Sequence, residues 1–93
     1  MQVTLSFLGA LIDQLGEPSL VVELPEGATY RDLLDRVADT MQPKLASWAW
    51  DTDNRSFRRQ IMVSRNLSSE IRDETAVLAD GDELLVFPPL SGG

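Results

Sequence analysis

Apolar and polar residues alternate one for one at the start of the chain. Val3, Leu5 and Phe7 fall on one face and Gln2, Thr4 and Ser6 on the other, the period-2 pattern of a half-buried strand. Leu20, Val22 and Leu24 repeat that pattern over residues 19–24. Residues 9–16, closed by the turn signal Gly16-Glu17-Pro18, join the two strands as a hairpin with a long connection. After Pro25-Glu26-Gly27 the period changes. Leu33, Leu34, Val37, Ala38 and Met41 recur at helical spacing, with Asp32, Asp35, Arg36 and Asp39 on the opposite side. Thr29, with Asp32 three residues on, forms a reduced capping box. The spacing predicts a helix from about Tyr30 to Met41, stopped near Pro43.

Residues 42–59 carry no dominant period. Leu45, Trp48 and Trp50 are apolar anchors, a short helical turn fits residues 44–48, and Asp51-Thr52-Asp53-Asn54 is a turn or loop signal. The two tryptophans read as satellite core residues, since stacking platforms for nucleic acid come with a basic groove. Arg55, Arg58 and Arg59 read as a solvated loop or strand end. Residues 60–64 predict a third strand with Ile61 and Val63 on one face, followed by a turn at Arg65-Asn66. Residues 67–79 look irregular and are expected to give Leu67, Ile71, Val77 and Leu78 to the core. Asp80-Gly81-Asp82 is a tight turn that needs the backbone freedom of Gly81.

The last strand covers residues 83–87. Leu84 and Val86 share one face, Leu85 and Phe87 the other, which fits a central strand or one whose second face meets a partner. One main helix packed on a mixed sheet of about four to five strands is a two-layer α+β domain. With the first and last strands side by side, that arrangement is a β-grasp (ubiquitin-like) fold. The expected organisation is a domain over residues 1–89 and a flexible tail over residues 90–93.

Composition removes whole classes of chemistry. The 93 residues include no cysteine and no histidine, so a disulfide framework, a thiolate or imidazole metal site and a cysteine- or histidine-based catalytic centre are all excluded. The remaining metal ligands would be carboxylates, and these are scattered, so no metal site is expected. Fifteen acidic against eight basic residues give a net charge of −7, which argues against nucleic acid and suits a basic protein partner. No apolar run reaches the length of a membrane span, and the N-terminal alternation lacks the basic stretch and apolar block of an export signal. The expected location is the cytoplasm.

The one obvious reactive group lies in the tail, Phe87-Pro88-Pro89-Leu90-Ser91-Gly92-Gly93. Two glycines can lie extended in a narrow slot and bring an α-carboxylate to a nucleotide phosphate. Pro88 and Pro89 end the sheet hydrogen bonding and favour an extended geometry, which lowers the cost of ordering the tail in a partner. Leu90, Phe87 and Met62 are apolar anchor candidates for such a partner, and Phe87 and Met62 serve equally as core.

From Leu78 to Gly93 the segment LADGDELLVFPPLSGG resembles the end of the ubiquitin-like sulfur carriers of the MoaD/ThiS type, closest to the MoaD-type small subunit of molybdopterin synthase. The rest of the chain fits the family more loosely. The resemblance implies that Gly93 is adenylated by an E1-like adenylyltransferase of the MoeB/ThiF type using Mg-ATP. A persulfide donor then converts it to a thiocarboxylate. It implies Gly92 as the residue that keeps the tail slim, and Phe87, Pro88, Pro89, Leu90, Ser91 and Met62 as partner contacts. A sulfur-acceptor enzyme such as a molybdopterin synthase large subunit would receive the tail in molybdenum cofactor biosynthesis. The chain would itself bind no cofactor and catalyse nothing. Three alternatives stay open: a carrier for another pathway (thiamine thiazole, tRNA thiolation or another sulfur metabolite), a ubiquitin-like protein modifier, or an interaction module whose Gly-Gly is incidental.

Overall fold

A computed structural model describes residues 1–88, apart from the side chains of Gln14 and Leu15. Pro89, Leu90, Ser91, Gly92 and Gly93, and with them the expected tail, lie outside the described residues. The elements in order are β1 (Gln2–Phe7), α1 (Ala10–Leu15), β2 (Ser19–Glu23), α2 (Tyr30–Met41), a 3-10 turn (Gln42–Lys44), β3 (Trp50–Asp51), β4 (Ser56–Phe57), β5 (Met62–Arg65), β6 (Ser69–Glu70) and β7 (Glu83–Phe87).

Five strands form one mixed sheet in the order β2-β1-β7-β5-β6, and β3 and β4 form a separate two-stranded ribbon. The first and last strands lie side by side and parallel, Leu5 opposite Leu84 and Phe7 opposite Val86. β7 pairs antiparallel with β5 on its other side, Val86 opposite Val63. The alternation read in the sequence therefore places Val3, Leu5, Phe7, Leu84, Val86 and Val63 in the core, where they join Leu33, Leu34 and Val37 of α2. Each such side chain, fully buried, contributes about 1.5–3 kcal/mol. This is the β-grasp arrangement, with one main helix across one face of the sheet.

α2 begins and ends where its signals stand. The capping box closes in both directions: the Asp32 N–H donates to Thr29 Oγ1 at 3.3 Å and the Thr29 N–H to Asp32 Oδ2 at 2.9 Å. The turn after it falls at Gln42–Lys44, with Pro43 in its first positions, rather than at residues 44–48. Trp50 is a full core residue: its Nε1–H donates to Gln42 Oε1 at 2.9 Å and its ring meets Phe57 edge-on at 5.0 Å. Trp48 stays partly exposed.

Several expectations need correction. The connection expected over residues 9–16 holds the six-residue helix α1, which buries Leu11 and ends where Gly16, at φ +75°, donates its N–H to Ile12 O. The third strand runs from Met62 to Arg65, because Ile61, though buried, donates its N–H to Arg58 O in a turn. Ile71 and Leu78 are buried, but Val77 is 59% and Leu67 80% exposed. Val77 sits on an isolated bridge to Thr29, so the side chain one residue on, Leu78, points inward. Leu67 is at the tip of the β5–β6 turn, which leaves it exposed.

The turn before β7 is held by a buried carboxylate. Asp82 accepts from the Ala79 N–H at 2.8 Å, from Arg65 Nη2 at 2.7 Å and from Asn66 Nδ2 at 3.0 Å. Asn66 Oδ1 in turn accepts from the Glu83 N–H, and the Asn66 N–H donates to Glu83 O, each at 2.8 Å. Gly81, at φ +86°, donates to Gln2 O, and Asp80 Oδ1 accepts from the Gln2 N–H. One turn thus fastens β1, β5 and β7 together. Burial alone would raise the Asp82 pKa, but the donors from Ala79, Asn66 and Arg65 outweigh it and hold the carboxyl below its ordinary value.

That sign sets a pH dependence. A carboxyl depressed in the fold stabilises it above the unfolded carboxylate pKa of about 4 and loses the contribution as pH falls toward the folded value. Asp82→Asn should cost about 2 kcal/mol near neutrality, the worth of charge-assisted hydrogen bonds. It should also flatten the loss of stability with acid. Urea unfolding across a pH series checks both, and an unchanged acid slope in the variant would mean that the charge of Asp82 is not what holds the turn.

Candidate functional site

β7 is the strand that leads toward the tail, and both its faces are used. Leu84 and Val86 are buried against α2, while Leu85 and Phe87 are half-buried on the sheet's outer face. Phe87 stands opposite Met62, and Leu85 lies between Ser6 on β1 and Ser64 on β5. Because both flanking residues are serines, Leu85 has low neighbours and remains reachable from outside. A shallow cavity of about 180 Å³ opens there, lined by Ser6, Leu67, Glu83, Leu84 and Leu85. Farther along the face, Val21 is exposed opposite Thr4. The outer face is therefore a weakly polar surface with apolar points at Met62, Leu67, Leu85 and Phe87.

Leu67 is the residue of this face that sequence reasoning missed, having been assigned to the core. It and Asn66 both have positive φ, 61° and 51°, the requirement of a type I′ turn. Asparagine tolerates that region and glycine prefers it, whereas a leucine there costs about 1–2 kcal/mol. A strained, exposed leucine is a poor choice for folding alone. The signal available in the sequence was Arg65-Asn66-Leu67-Ser68, a turn read from its asparagine but not extended to the leucine beside it.

The sheet's hydrogen bonding along β7 reaches its end beside Leu8, whose N–H donates to Val86 O at 3.0 Å. Pro88 follows, half-buried, and offers no N–H. Its ring lies over Gly9: a Cβ built on Gly9 would meet Pro88 Cγ at 3.4 Å. Gly9 has φ 61° and ψ −137°, a region almost closed to other residues. The start of α1 thus braces the base of the tail. Of the expected site residues, the structure brings together Met62, Phe87 and Pro88, while Pro89, Leu90, Ser91, Gly92 and Gly93 lie outside the described residues. Among the described residues, no three carboxylates gather as a metal site, and no helix is long and apolar enough to cross a membrane.

The comparisons agree on a family. Residues 5–93 match the model of the ThiS family. Among solved structures, SAMP1, the small archaeal modifier protein 1, from Haloferax volcanii is 29% identical, covering 100% of each chain with a TM-score of 0.81. A chain of the BexX/CysO complex from Amycolatopsis orientalis is 26% identical over 98% of this chain and 99% of that one, with a TM-score of 0.62. A chain of the complex of subunits 1 and 2 of molybdopterin-converting factor from Helicobacter pylori 26695 is 19% identical over 100% of each chain, with a TM-score of 0.66, a likeness of fold.

The brace under Pro88 is testable without a partner. Gly9→Ala should destabilise the fold by about 1–3 kcal/mol, the cost of a side chain in a glycine-only region. It should also displace the Pro88 and Phe87 resonances. Urea unfolding together with two-dimensional NMR reads both, and an alanine variant as stable as the parent would show that Gly9 can leave this conformation freely.

Proposed function

Because the chain belongs to the ThiS family, within the wider group of ubiquitin-like sulfur carriers and modifiers, we propose that its Gly93 carboxylate is loaded with sulfur and delivered to an acceptor enzyme. The observation that carries this reading is a family match running through to residue 93, so that it includes Gly92 and Gly93. Pro88 on its Gly9 brace supports it by giving the tail a stiff base.

The chemistry follows from a carboxylate and a partner's Mg-ATP. A carboxylate oxygen of Gly93 attacks the α-phosphorus, pyrophosphate leaves, and an acyl-adenylate forms. The terminal sulfur of a donor persulfide attacks the acyl carbon and expels AMP. A second thiol of the donor then cleaves the sulfur–sulfur bond, which leaves a thiocarboxylate on Gly93 and a disulfide on the donor. Charge stabilisation at the phosphoryl centre comes from the E1-like adenylyltransferase and its Mg ion, since this chain has no histidine to act as a base. At the acceptor, proposed as a molybdopterin synthase-type large subunit, the thiocarboxylate sulfur bonds to a precursor carbon as a carbon–oxygen bond there breaks and the oxygen leaves. Water then cleaves the acyl–sulfur bond of the resulting thioester, which leaves sulfur on the precursor and restores the Gly93 carboxylate.

The outer face is the docking surface for these partners. Phe87, Leu85, Met62 and Leu67 supply its apolar points, with Pro88, Pro89, Leu90 and Ser91 continuing into the partner's channel. Two of the similar structures are themselves complexes with a second protein. Conjugation to lysines as a modifier is a second reading, favoured by the 29% identity to the small archaeal modifier protein 1 across the whole chain.

Incubation with a cognate E1-like enzyme, Mg-ATP and a persulfide donor, followed by intact mass, separates the readings. Exchange of one oxygen for sulfur at Gly93 supports the carrier; adducts on lysines of other proteins without that exchange support the modifier. Gly92→Ala should cut loading at least tenfold through a clash in the channel while leaving thermal unfolding unchanged. Leu67→Asn should weaken partner binding while leaving stability equal or higher, because the φ strain of about 1 kcal/mol is relieved. A Leu67→Asn protein that is destabilised and binds normally would remove Leu67 from the docking face.

A further inference from the structure

Arginines gather beside the β3–β4 ribbon, next to the edge of the outer face, where Arg72 Nη2 lies 3.7 Å from Met62 Sδ. The β3–β4 ribbon folds over α2 as an arm. Asp51 shapes its tip, its Oδ1 accepting from the Asp53 and Asn54 N–H groups and its Oδ2 from Asn54 Nδ2. Arg31 and Arg55 clamp the arm to α2: Arg31 donates from Nη1 to Asn54 O at 3.2 Å and from Nη2 to Arg55 O, and Arg55 pairs with Asp39 at 2.7 Å. Between this arm and residues 72–74 runs an open groove of about 670 Å³. Arg31, Arg58, Arg59 and Arg72 line it, four of the eight basic residues in a chain whose net charge is −7.

Asp51 is engaged by its own turn, Glu74 and Asp35 pair with Arg31 and Glu70 pairs with Arg72, so Arg58 and Arg59 are the groove arginines without a carboxylate partner among the described residues. Arg72 Nε donates to Glu70 at 2.9 Å and Arg58 Nε to Ser47 O, which fixes both guanidinium groups in place. The Arg59 side chain is exposed, with no acceptor among the described residues. At its inner end the groove continues into a cavity of about 110 Å³, sharing Ser56, Phe57, Arg72 and Glu74 with it. The floor of that cavity is apolar, built from Leu34, Ile61 and Ile71, with Tyr30 on its wall.

We propose that this groove is a second docking surface, one that takes an acidic peptide segment carrying an aliphatic side chain, with the acidic groups on the arginine rim and the aliphatic group in the cavity. Fixed guanidinium forks suit carboxylates, which they can hold by paired hydrogen bonds. The apolar floor distinguishes the site from one for a small inorganic anion, which has no use for it. The net charge of −7 opposes a long polyanion such as RNA, whose phosphates would extend past the groove onto the acidic remainder of the surface. A short segment can meet Arg58 and Arg59 alone, since charges farther off than about 8 Å are screened at physiological salt. The surface goes beyond the sulfur-carrier reading and does not rest on it. It would let a protein hold the carrier while the outer face and tail are engaged elsewhere.

The test uses the full chain, labelled for NMR, and a blocked pentapeptide of four glutamates around a central leucine. Amide shifts should concentrate at residues 56–60 and 72–74, and affinity should fall at least fivefold when the Debye length is shortened from about 10 Å to about 3 Å with salt. Replacing the peptide's leucine by serine should weaken binding about tenfold, the worth of one buried aliphatic side chain at the low end of its range. Arg59→Glu, on an exposed side chain, should weaken it at least tenfold with the urea midpoint unchanged, while Leu67→Asn on the outer face should leave it unaltered. The proposal is overturned if the shifts fall at residues 64–67 and 83–87, or if none appears with the peptide at about 1 mM, a Kd corresponding to about −4 kcal/mol. It is equally overturned if Arg59→Glu binds like the parent, or if a short single-stranded RNA moves the same amides as tightly as the peptide does.

Discussion

A single carboxylate decides where the last strand lies. Asp82 is 6% exposed and accepts from a backbone amide, a guanidinium and a side-chain amide, so it unites the turn before β7 with the turn after β5. If β7 slipped by one residue, Leu84 and Val86 would leave the core and Leu85 and Phe87 would enter it. Both pairs are apolar, so hydrophobic alternation alone discriminates weakly between the two registers. The polar contacts at Asp82 and Asn66 supply the discrimination. They also aim β7, and with it the base of the tail, along β1 to the brace at Gly9.

The architecture was legible because its main elements announce themselves by period and punctuation. Val3-Leu5-Phe7 alternates, Leu33-Leu34-Val37-Met41 is helical, Thr29 and Asp32 cap, and Gly81 marks a turn with positive φ. The misses have a different physical origin. Leu67 and Val77 are apolar residues outside the core, and α1 is too short to show a full helical period. Segment 42–59 was opaque because its structure comes from side-chain hydrogen bonds, such as Trp50 to Gln42 and Asp51 to its own turn, which leave no repeating pattern. Gly9 could be seen as a glycine, but its role under Pro88 depends on residues 79 positions apart coming together, 88 − 9, which spacing cannot show.

The arginines changed most between sequence and structure. Arg55, Arg58 and Arg59 look like one solvated cluster in the sequence, yet in the fold Arg55 parts from the other two, which line the same groove. Arg55, at φ +52°, turns back to pair with Asp35 and Asp39 of α2. Exposed pairs of this kind contribute little each, commonly under about 1 kcal/mol, so stability is a weak reason for holding a non-glycine residue in that conformation. What the clamp does secure is the position of the arm, and the arm forms one bank of the arginine groove.

The same reasoning applies to Leu67 beside β7. Positive φ at an exposed leucine opposes folding, and the Asn66 contacts to Asp82 and Glu83 are what hold the turn in place despite it. Strain retained by a surrounding network is expected where a side chain must be presented in one direction. The molecule therefore spends its local irregularities on two surfaces, one carrying Leu67 beside β7 and the other carrying Arg58 and Arg59 beside the arm.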